Sequence, residues 1–152
     1  MLLRKLFFAA LSSLLFAGSA KADVVLQDIH GQNIPFSSLN GKWVFINYWA
    51  SWCQPCVDEI PELNRFYEKN KTGNVVIFGV NYDALPIQQQ KMLVKQFDIR
   101  YPNLKRDPSS LLNLGDINGV PVTFVFNPQG ELSKKLYGSQ TVRSLSKVMA
   151  SG

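Results

Sequence analysis

The chain has 152 residues, of which 46% are hydrophobic and 18% are charged, and its formal net charge is +5. This length suits one domain, and the apolar fraction excludes a wholly disordered chain. Two cysteines and one histidine are too few for a disulfide-stapled mini-protein, for a four-cysteine metal site and for most zinc enzymes.

The first 22 residues have the pattern of a secretory signal peptide. A positively charged start, Arg4-Lys5, precedes a run of apolar and small side chains, and Ala20-Lys21-Ala22 places small residues where a signal peptidase reads them. We expect cleavage before Asp23, which would put the rest of the chain in the periplasm or another extracytoplasmic space. An uncleaved N-terminal membrane anchor is the alternative.

Removal of this segment also removes much of the positive charge. Of the 16 basic residues, 13 remain against 11 acidic ones. The two remaining basic doublets, Lys105-Arg106 and Lys134-Lys135, are typical of a solvated face. No nucleic-acid partner is predicted. Residues 23–152 contain no repeat and no linker, and we expect one domain there.

The apolar pattern predicts the elements in chain order. Two short strand-like runs at 24–27 and 33–36 precede a continuous β-branched and aromatic run at 43–49, which is typical of a central strand buried on both faces. From residue 55 to about residue 70, apolar side chains recur every three or four positions, which predicts a helix. The remaining predictions are a strand (74–82), two helices (86–97 and 108–114), a hairpin (121–127 and 131–137) and a closing helix (141–150) that Thr141 caps.

This order of elements predicts an α/β domain. Strands separated by helices need crossovers and therefore pair in parallel, whereas the strands of a hairpin are antiparallel. We therefore expect a mixed central sheet with helices on both faces.

The motif that carries chemistry is Trp52-Cys53-Gln54-Pro55-Cys56, where the predicted central strand runs into a helix. Unpaired N–H groups and the positive end of the helix dipole favour a thiolate there, so Cys53 is expected to be the exposed nucleophile. Cys56, one turn later, is expected to be more buried and to act as the resolving thiol. Pro55 suits the first helical turn, where its missing N–H costs nothing. Trp52 is expected to form a flat apolar surface on which partner proteins dock.

Two other interpretations of the cysteine pair remain open. A structural disulfide would close a loop so short that it constrains the unfolded chain little. A metal site would need two more ligands, and His30 is the one histidine that could be among them.

The segment Trp49-Ala50-Ser51-Trp52-Cys53-Gln54-Pro55-Cys56, followed by Glu59 and Pro61, resembles the active-site segment of the thioredoxin superfamily. It is most similar to the exported TlpA-like/ResA-like thiol-disulfide oxidoreductases, which include cytochrome c maturation reductases. The resemblance implies a thioredoxin fold over residues 23–152, with an N-terminal β-hairpin and a helical insertion at 86–97. It also implies a dithiol-disulfide cycle of the two cysteines that needs no other cofactor.

The resemblance assigns three further residues. Residues 119–123 resemble the cis-proline loop of the family, so Pro121 would be the cis residue and the Val120 backbone would pair with an extended partner segment. Glu59 corresponds to an acidic residue that manages protons, and burial would raise its pKa enough to accept the proton of the resolving thiol. An ordinary solvated carboxylate is the alternative for Glu59. Ordinary thioredoxins have a buried aspartate where this chain has Asn47, and an amide cannot shuttle a proton.

The resemblance also implies a direction and partners. Such proteins usually reduce disulfides of exported clients with electrons from a membrane thiol reductase, and Gln54-Pro55 lacks the histidine of strongly oxidising relatives. Reductases dedicated to cytochrome c carry an aromatic residue followed by an acidic one in the loop before the cis-proline. Residues 115–122 lack this pair, which indicates a broader or different client set. An oxidant or isomerase of the same fold and a thioredoxin-like metal chaperone remain as alternatives. A monomer is expected.

Overall fold

Residues 23–152 are described by the structure, which is a computed structural model. The strands are β1 (Val25–Gln27), β2 (Asn33–Pro35), β3 (Trp43–Trp49), β4 (Val75–Asn81), β5 (Asn103–Leu104), β6 (Val122–Phe126) and β7 (Leu132–Tyr137). The α-helices are α1 (Gln54–Asn70), α2 (Ile87–Gln96) and α3 (Val142–Ala150), and a 3₁₀-helix spans Phe36–Leu39. The predicted signal peptide, residues 1–22, lies outside the described residues.

Five strands form one mixed sheet in the order β5-β4-β3-β6-β7, and β1 and β2 form a separate antiparallel hairpin. β3 pairs in parallel with β4 and antiparallel with β6, so it lies at the centre of the sheet. All seven residues of β3 are buried, which suits their β-branched and aromatic composition. The cysteine pair follows directly after this central strand.

Each face of the sheet carries an apolar core. On the first face, α1, α2 and α3 contribute Phe66, Leu93 and Leu145, which pack with Phe45 of β3. The hairpin, the 3₁₀-helix and part of the chain after β5 cover the second face, to which β3 contributes Ile46. Successive side chains of β3 therefore fill opposite cores, as the alternation of a strand requires.

Most element bounds agree with the sequence prediction to within a residue or two. The mixed sheet, the N-terminal hairpin of β1 and β2 and the hairpin of β6 and β7 are confirmed. The predicted helix at 108–114 is wrong, because this segment forms turns. The N–H groups of Leu112 and Leu114 bond to carbonyls four and five residues back, and Asn113 has a φ of 53°. A left-handed residue stops helix propagation. Among the described residues, the helix that packs on the second face is therefore the 3₁₀-helix, whereas α1, α2 and α3 pack on the first face. Within residues 23–152, no helix is long and apolar enough to cross a membrane.

Candidate active site

The cysteine pair lies at the junction of β3 and α1. The chain turns after Trp49, and the Cys53 N–H bonds to the Ala50 carbonyl oxygen at 3.2 Å. Cys53 is the N-cap of α1, and its sulfur accepts a hydrogen bond from the Cys56 N–H at 3.2 Å. A disulfide joins the two cysteines, whose Cα atoms are 5.2 Å apart. Pro55 lies in the first helical turn, where a missing N–H removes no helical hydrogen bond.

The sulfur of Cys53 is less accessible than the motif suggests. Cys56 is fully buried, but Cys53 is also buried, at 5% exposure, so the prediction of an exposed nucleophile is wrong. The reason is a neighbouring loop, whose Val120 carbonyl oxygen lies 3.7 Å from Cys53 Sγ. The approach to the Cys53 sulfur therefore passes this loop.

The loop that covers Cys53 ends in a cis peptide bond between Val120 and Pro121. It lies here because β6 begins at Val122, opposite Tyr48 near the end of β3. A groove of about 280 Å³ opens beside the loop, and its lining residues are Asn118, Gly119, Val120, Pro121, Tyr137 and Gly138. The roles of Val120 and Pro121 in binding a partner stay predictions.

Glu59 follows Cys56 by one helical turn and is buried at 2% exposure. Its Oε1 accepts a hydrogen bond from Asn47 Nδ2 at 2.7 Å, and its Oε2 accepts one from the Gln140 N–H at 2.7 Å. Burial raises the pKa of Glu59 to about 7, although both hydrogen bonds favour the charged form and oppose the rise. A solvated carboxylate is thereby excluded, and Glu59 can exchange a proton near neutral pH.

Asn47 holds the Glu59 carboxyl from the side of the sheet. Its Nδ2 also donates to Thr123 Oγ1 on β6 at 3.0 Å, and its Oδ1 is buried without a hydrogen-bond partner. An amide donates or accepts hydrogen bonds but does not take up a proton at neutral pH. Asn47 therefore orients the carboxyl, and Glu59 is the titratable group of this cluster.

Trp52 lies on the surface beside the cysteine pair and is 65% exposed. Its Nε1–H is 3.0 Å from each carboxylate oxygen of Asp83, and its ring meets Tyr82 edge-on at a centroid distance of 6.5 Å. These contacts orient the exposed ring, whose use as a docking surface stays a prediction. Gln54 is exposed, and its side-chain amide donates to Asp58 Oδ1 at 2.7 Å.

Three contributors to the site were missed by sequence reasoning. The Gln140 N–H bonds to Glu59, which lies 81 residues earlier in the chain. Thr123 Oγ1 accepts a hydrogen bond from Asn47, which lies 76 residues earlier. No local sequence pattern reveals such distant contacts. Asp83 could have been found, because it follows β4 just as Trp52 follows β3. These two strands pair in parallel, and neighbouring parallel strands end at the same edge of a sheet, so the two residues lie close together. Among residues 23–152, no three His, Cys, Asp or Glu side chains lie together where they could hold a metal ion.

Known proteins match most of the chain. The AhpC/TSA family matches residues 17–135. The thiol-disulfide oxidoreductase ResA of Bacillus subtilis is 33% identical over 124 residues, which are 82% of this chain and 69% of that protein. ResA of Bacillus cereus is 31% identical over 128 residues, which are 84% of this chain and 73% of that protein. The crystal structure of StoA from Bacillus subtilis aligns with a TM-score of 0.68 at 26% identity and covers 84% of this chain and 96% of StoA.

These matches agree with the geometry of the molecule. The segment that matches the family includes Cys53, Cys56 and the Val120–Pro121 bond, and the matched structure extends the likeness across the mixed sheet. The chain therefore belongs to the AhpC/TSA family and is a ResA/TlpA-like thiol-disulfide oxidoreductase of the thioredoxin superfamily.

Proposed function

We propose that this protein reduces disulfides in exported client proteins outside the cytoplasm. The Cys53–Cys56 pair carries the electrons, and no further cofactor takes part, because thiol-disulfide exchange needs only sulfurs and a proton acceptor. The observation that supports the reductive direction is the environment of the Cys53 sulfur.

The polar neighbours of Cys53 Sγ are backbone groups. They are the Cys56 N–H at 3.2 Å and the Val120 carbonyl oxygen at 3.7 Å, and no Lys, Arg or His of residues 23–152 hydrogen-bonds to this sulfur. A strong oxidant is one whose reduced form is stabilised, and nearby positive charge is one way to stabilise a thiolate. Without a cationic side chain bonded to its sulfur, the reduced pair gives up its electrons more readily than one that has such a contact.

In the reductive cycle, the Cys53 thiolate attacks a client disulfide, and one client sulfur leaves as a thiolate. The Cys56 thiolate then attacks Cys53 Sγ, which closes the Cys53–Cys56 disulfide and releases the second client sulfur. The client gains two electrons and the cysteine pair loses two. A membrane-embedded thiol reductase, which the family resemblance implies, returns the pair to its dithiol form.

The resolving step needs an acceptor for the Cys56 thiol proton. Cys56 is fully buried, so bulk water does not reach its sulfur. Glu59, three residues later on the same face of α1, has a pKa of about 7, which suits a general base near neutral pH. Glu59 therefore takes the proton as Cys56 attacks, and it later returns the proton to solvent.

The location and the client set rest on the sequence. The signal-peptide pattern of residues 1–22 supports export. Reductases dedicated to cytochrome c carry an aromatic residue followed by an acidic one before the cis-proline, and residues 115–122 lack this pair. The client set is therefore broader than cytochrome c maturation, which remains one part of it.

The equilibrium reduction potential of the Cys53–Cys56 pair tests the proposal. It is measured on the full chain in dithiothreitol or glutathione redox buffers. We expect a value closer to the thioredoxin end, about −270 mV, than to the strongly oxidising end, about −120 mV. Cys56→Ser cannot close the disulfide and is the control for the signal. A value of about −120 mV would identify an oxidant of exported proteins and contradict the proposal.

A further inference from the structure

We propose that Tyr137 selects clients that carry apolar side chains next to the reacting cysteine. Its ring forms the outer wall of the groove beside Val120 and Pro121, which we call the client groove and which the six residues 118–121, 137 and 138 line. This inference rests on the proposed exchange of client disulfides at Cys53, and it names the residue that distinguishes one client from another.

A client bonded to Cys53 must lie against this groove. Cys53 Sγ is buried, and the Val120 carbonyl oxygen stands 3.7 Å from it. Val120 lines the groove, so the residues that flank the client cysteine, one Cα step or about 3.8 Å away, come next to the client groove. Among the described residues, the Val120 N–H has no hydrogen-bond partner, so it can bond to an extended client backbone.

The chemistry of the lining favours an apolar client side chain. None of the six lining residues carries a charge, and the side chains among them are those of valine, proline, tyrosine and one asparagine. A charged client side chain placed there would lose water. A basic one would meet the Lys135 ammonium behind the Tyr137 ring, and for an acidic one that ammonium already contacts two aromatic rings and the Asp116 carbonyl oxygen. An apolar side chain gains free energy when the groove removes it from water.

The Tyr137 side chain is exposed and lies next to the cis-proline loop, which is where a residue that binds clients is needed. It ends the edge strand β7 opposite Val122, and the Gly138 N–H bonds to the Pro121 carbonyl oxygen at 3.0 Å, so the ring stands beside the cis-proline loop. At 72% exposure, it is the most exposed large apolar or aromatic side chain of the described residues. Tyrosine is enriched among the residues that dominate binding energy at protein interfaces.

Lys135 orients the exposed ring. Its Nζ lies 5.3 Å from the centroid of the Tyr137 ring and 5.0 Å from that of Phe124, and it donates to the Asp116 carbonyl oxygen at 3.2 Å. Cation–π attraction therefore ties the ring to the segment that leads into the cis-proline loop. A wall that is already in place loses little conformational entropy when a client binds.

Two short peptides test the inference. They differ only in the residues that flank their single cysteine, both Phe or both Ser, and each is joined through its cysteine to 5-thio-2-nitrobenzoate. The reduced full chain gives two electrons to this disulfide and releases the peptide thiol and the coloured thionitrobenzoate. We expect kcat/KM to favour the Phe peptide about tenfold, as burial of apolar area predicts.

The variants separate the ring from its surroundings. Tyr137→Ala should lower the preference to about twofold or less, whereas Tyr137→Phe should keep it, because the ring forms the wall. Lys135→Met should lower it partly, because the ring loses its cation. Leu132→Ala is the matched control, since Leu132 is exposed on the same strand and does not line the groove. It should keep the full preference.

The outcome does not depend on the direction of electron transfer. In the Cys56→Ser background, Cys53 forms a stable mixed disulfide with each peptide, and the rates of trapping show the same preference even if the pair proves to be an oxidant. Equal rates for the two peptides in the native chain, or a preference that survives Tyr137→Ala, would overturn the inference.

Discussion

Glu59 combines a pKa near neutrality with a place one turn after Cys56, the proposed resolving cysteine. If it accepts the Cys56 proton, the resolving step should speed up as the pH rises through about 7, where Glu59 ionises. We expect Glu59→Gln to remove this pH dependence and to slow the step about a hundredfold, within the usual range of general base catalysis. Stopped-flow measurement of client thiol release across this pH range gives both results. A variant that keeps the native rate and pH profile would contradict the role.

The same carboxyl makes stability depend on pH with a defined sign. The pKa of Glu59 is about 7 in the fold against 4.5 ordinarily, so the unfolded chain loses this proton at a lower pH than the folded chain does. The contribution of the protonated Glu59 carboxyl to the free energy of unfolding is about 3 kcal/mol. This contribution is fully present below about pH 4.5 and is lost as the pH rises to about 7. Urea unfolding should show the native chain losing stability relative to Glu59→Gln across this window.

A matched variant checks the source of that pH dependence. Asp58 lies on the same helix but is exposed, so Asp58→Asn should follow the native chain at every pH. A difference between the native chain and Glu59→Gln that stays constant from about pH 4.5 to about pH 7 would mean that the fold does not raise the pKa of Glu59.

Among elements, those with a long local pattern could be predicted, and those determined by tertiary packing could not. β3 and α1 matched their predictions to within a residue, because their apolar runs are long enough to show a period. β5 has two residues and was missed. It pairs with β4 where Gly79 leaves room for the Asn103 side chain, whose Oδ1 accepts the Trp49 Nε1–H at 3.1 Å.

The N-terminus of α3 is an element boundary that local chemistry determines, and it carries a prediction. Thr141 Oγ1 accepts the Ser144 N–H at 3.1 Å, and Ser144 Oγ accepts the Thr141 N–H at 2.9 Å, as a capping box requires. Thr141→Ala should lower the free energy of unfolding by about 1 kcal/mol, measured by urea unfolding. Arg143→Ala, at an exposed position of the same turn, should change it by less than about 0.5 kcal/mol. Equal losses would show that the cap contributes nothing specific.

In the whole molecule, the active site divides into a local part and an assembled part. Cys53, Cys56 and Glu59 lie within seven residues and could be found from the motif and the family resemblance. The loop over Cys53 comes from 67 residues away, and the Gln140 N–H that bonds to Glu59 comes from 81 residues away. The motif alone therefore predicted an exposed sulfur, because the loop that buries it depends on how β6 pairs with β3.

The disulfide links the stability of the whole fold to the direction of electron transfer. Folding and reduction form a thermodynamic cycle. The oxidised and reduced chains differ in their free energy of unfolding, and this difference, converted to a potential, is the change that folding makes to the reduction potential of the cysteine pair. A pair whose reduced fold is stabilised is oxidising. Here the helix N-terminus and one backbone N–H favour the Cys53 thiolate, but no charged side chain among residues 23–152 hydrogen-bonds to its sulfur. The reduced fold therefore lacks the added stabilisation of a strong oxidant.

We therefore expect the oxidised full chain to be more stable than the reduced chain. The difference should be about 2 kcal/mol at most, because the disulfide closes a loop with a sequence separation of 3. Urea unfolding with and without dithiothreitol measures this difference, and the double variant Cys53→Ser/Cys56→Ser should unfold alike in both conditions. If the reduced chain proves the more stable, the fold favours the dithiol, the pair is an oxidant, and the reductive proposal fails independently of any client assay.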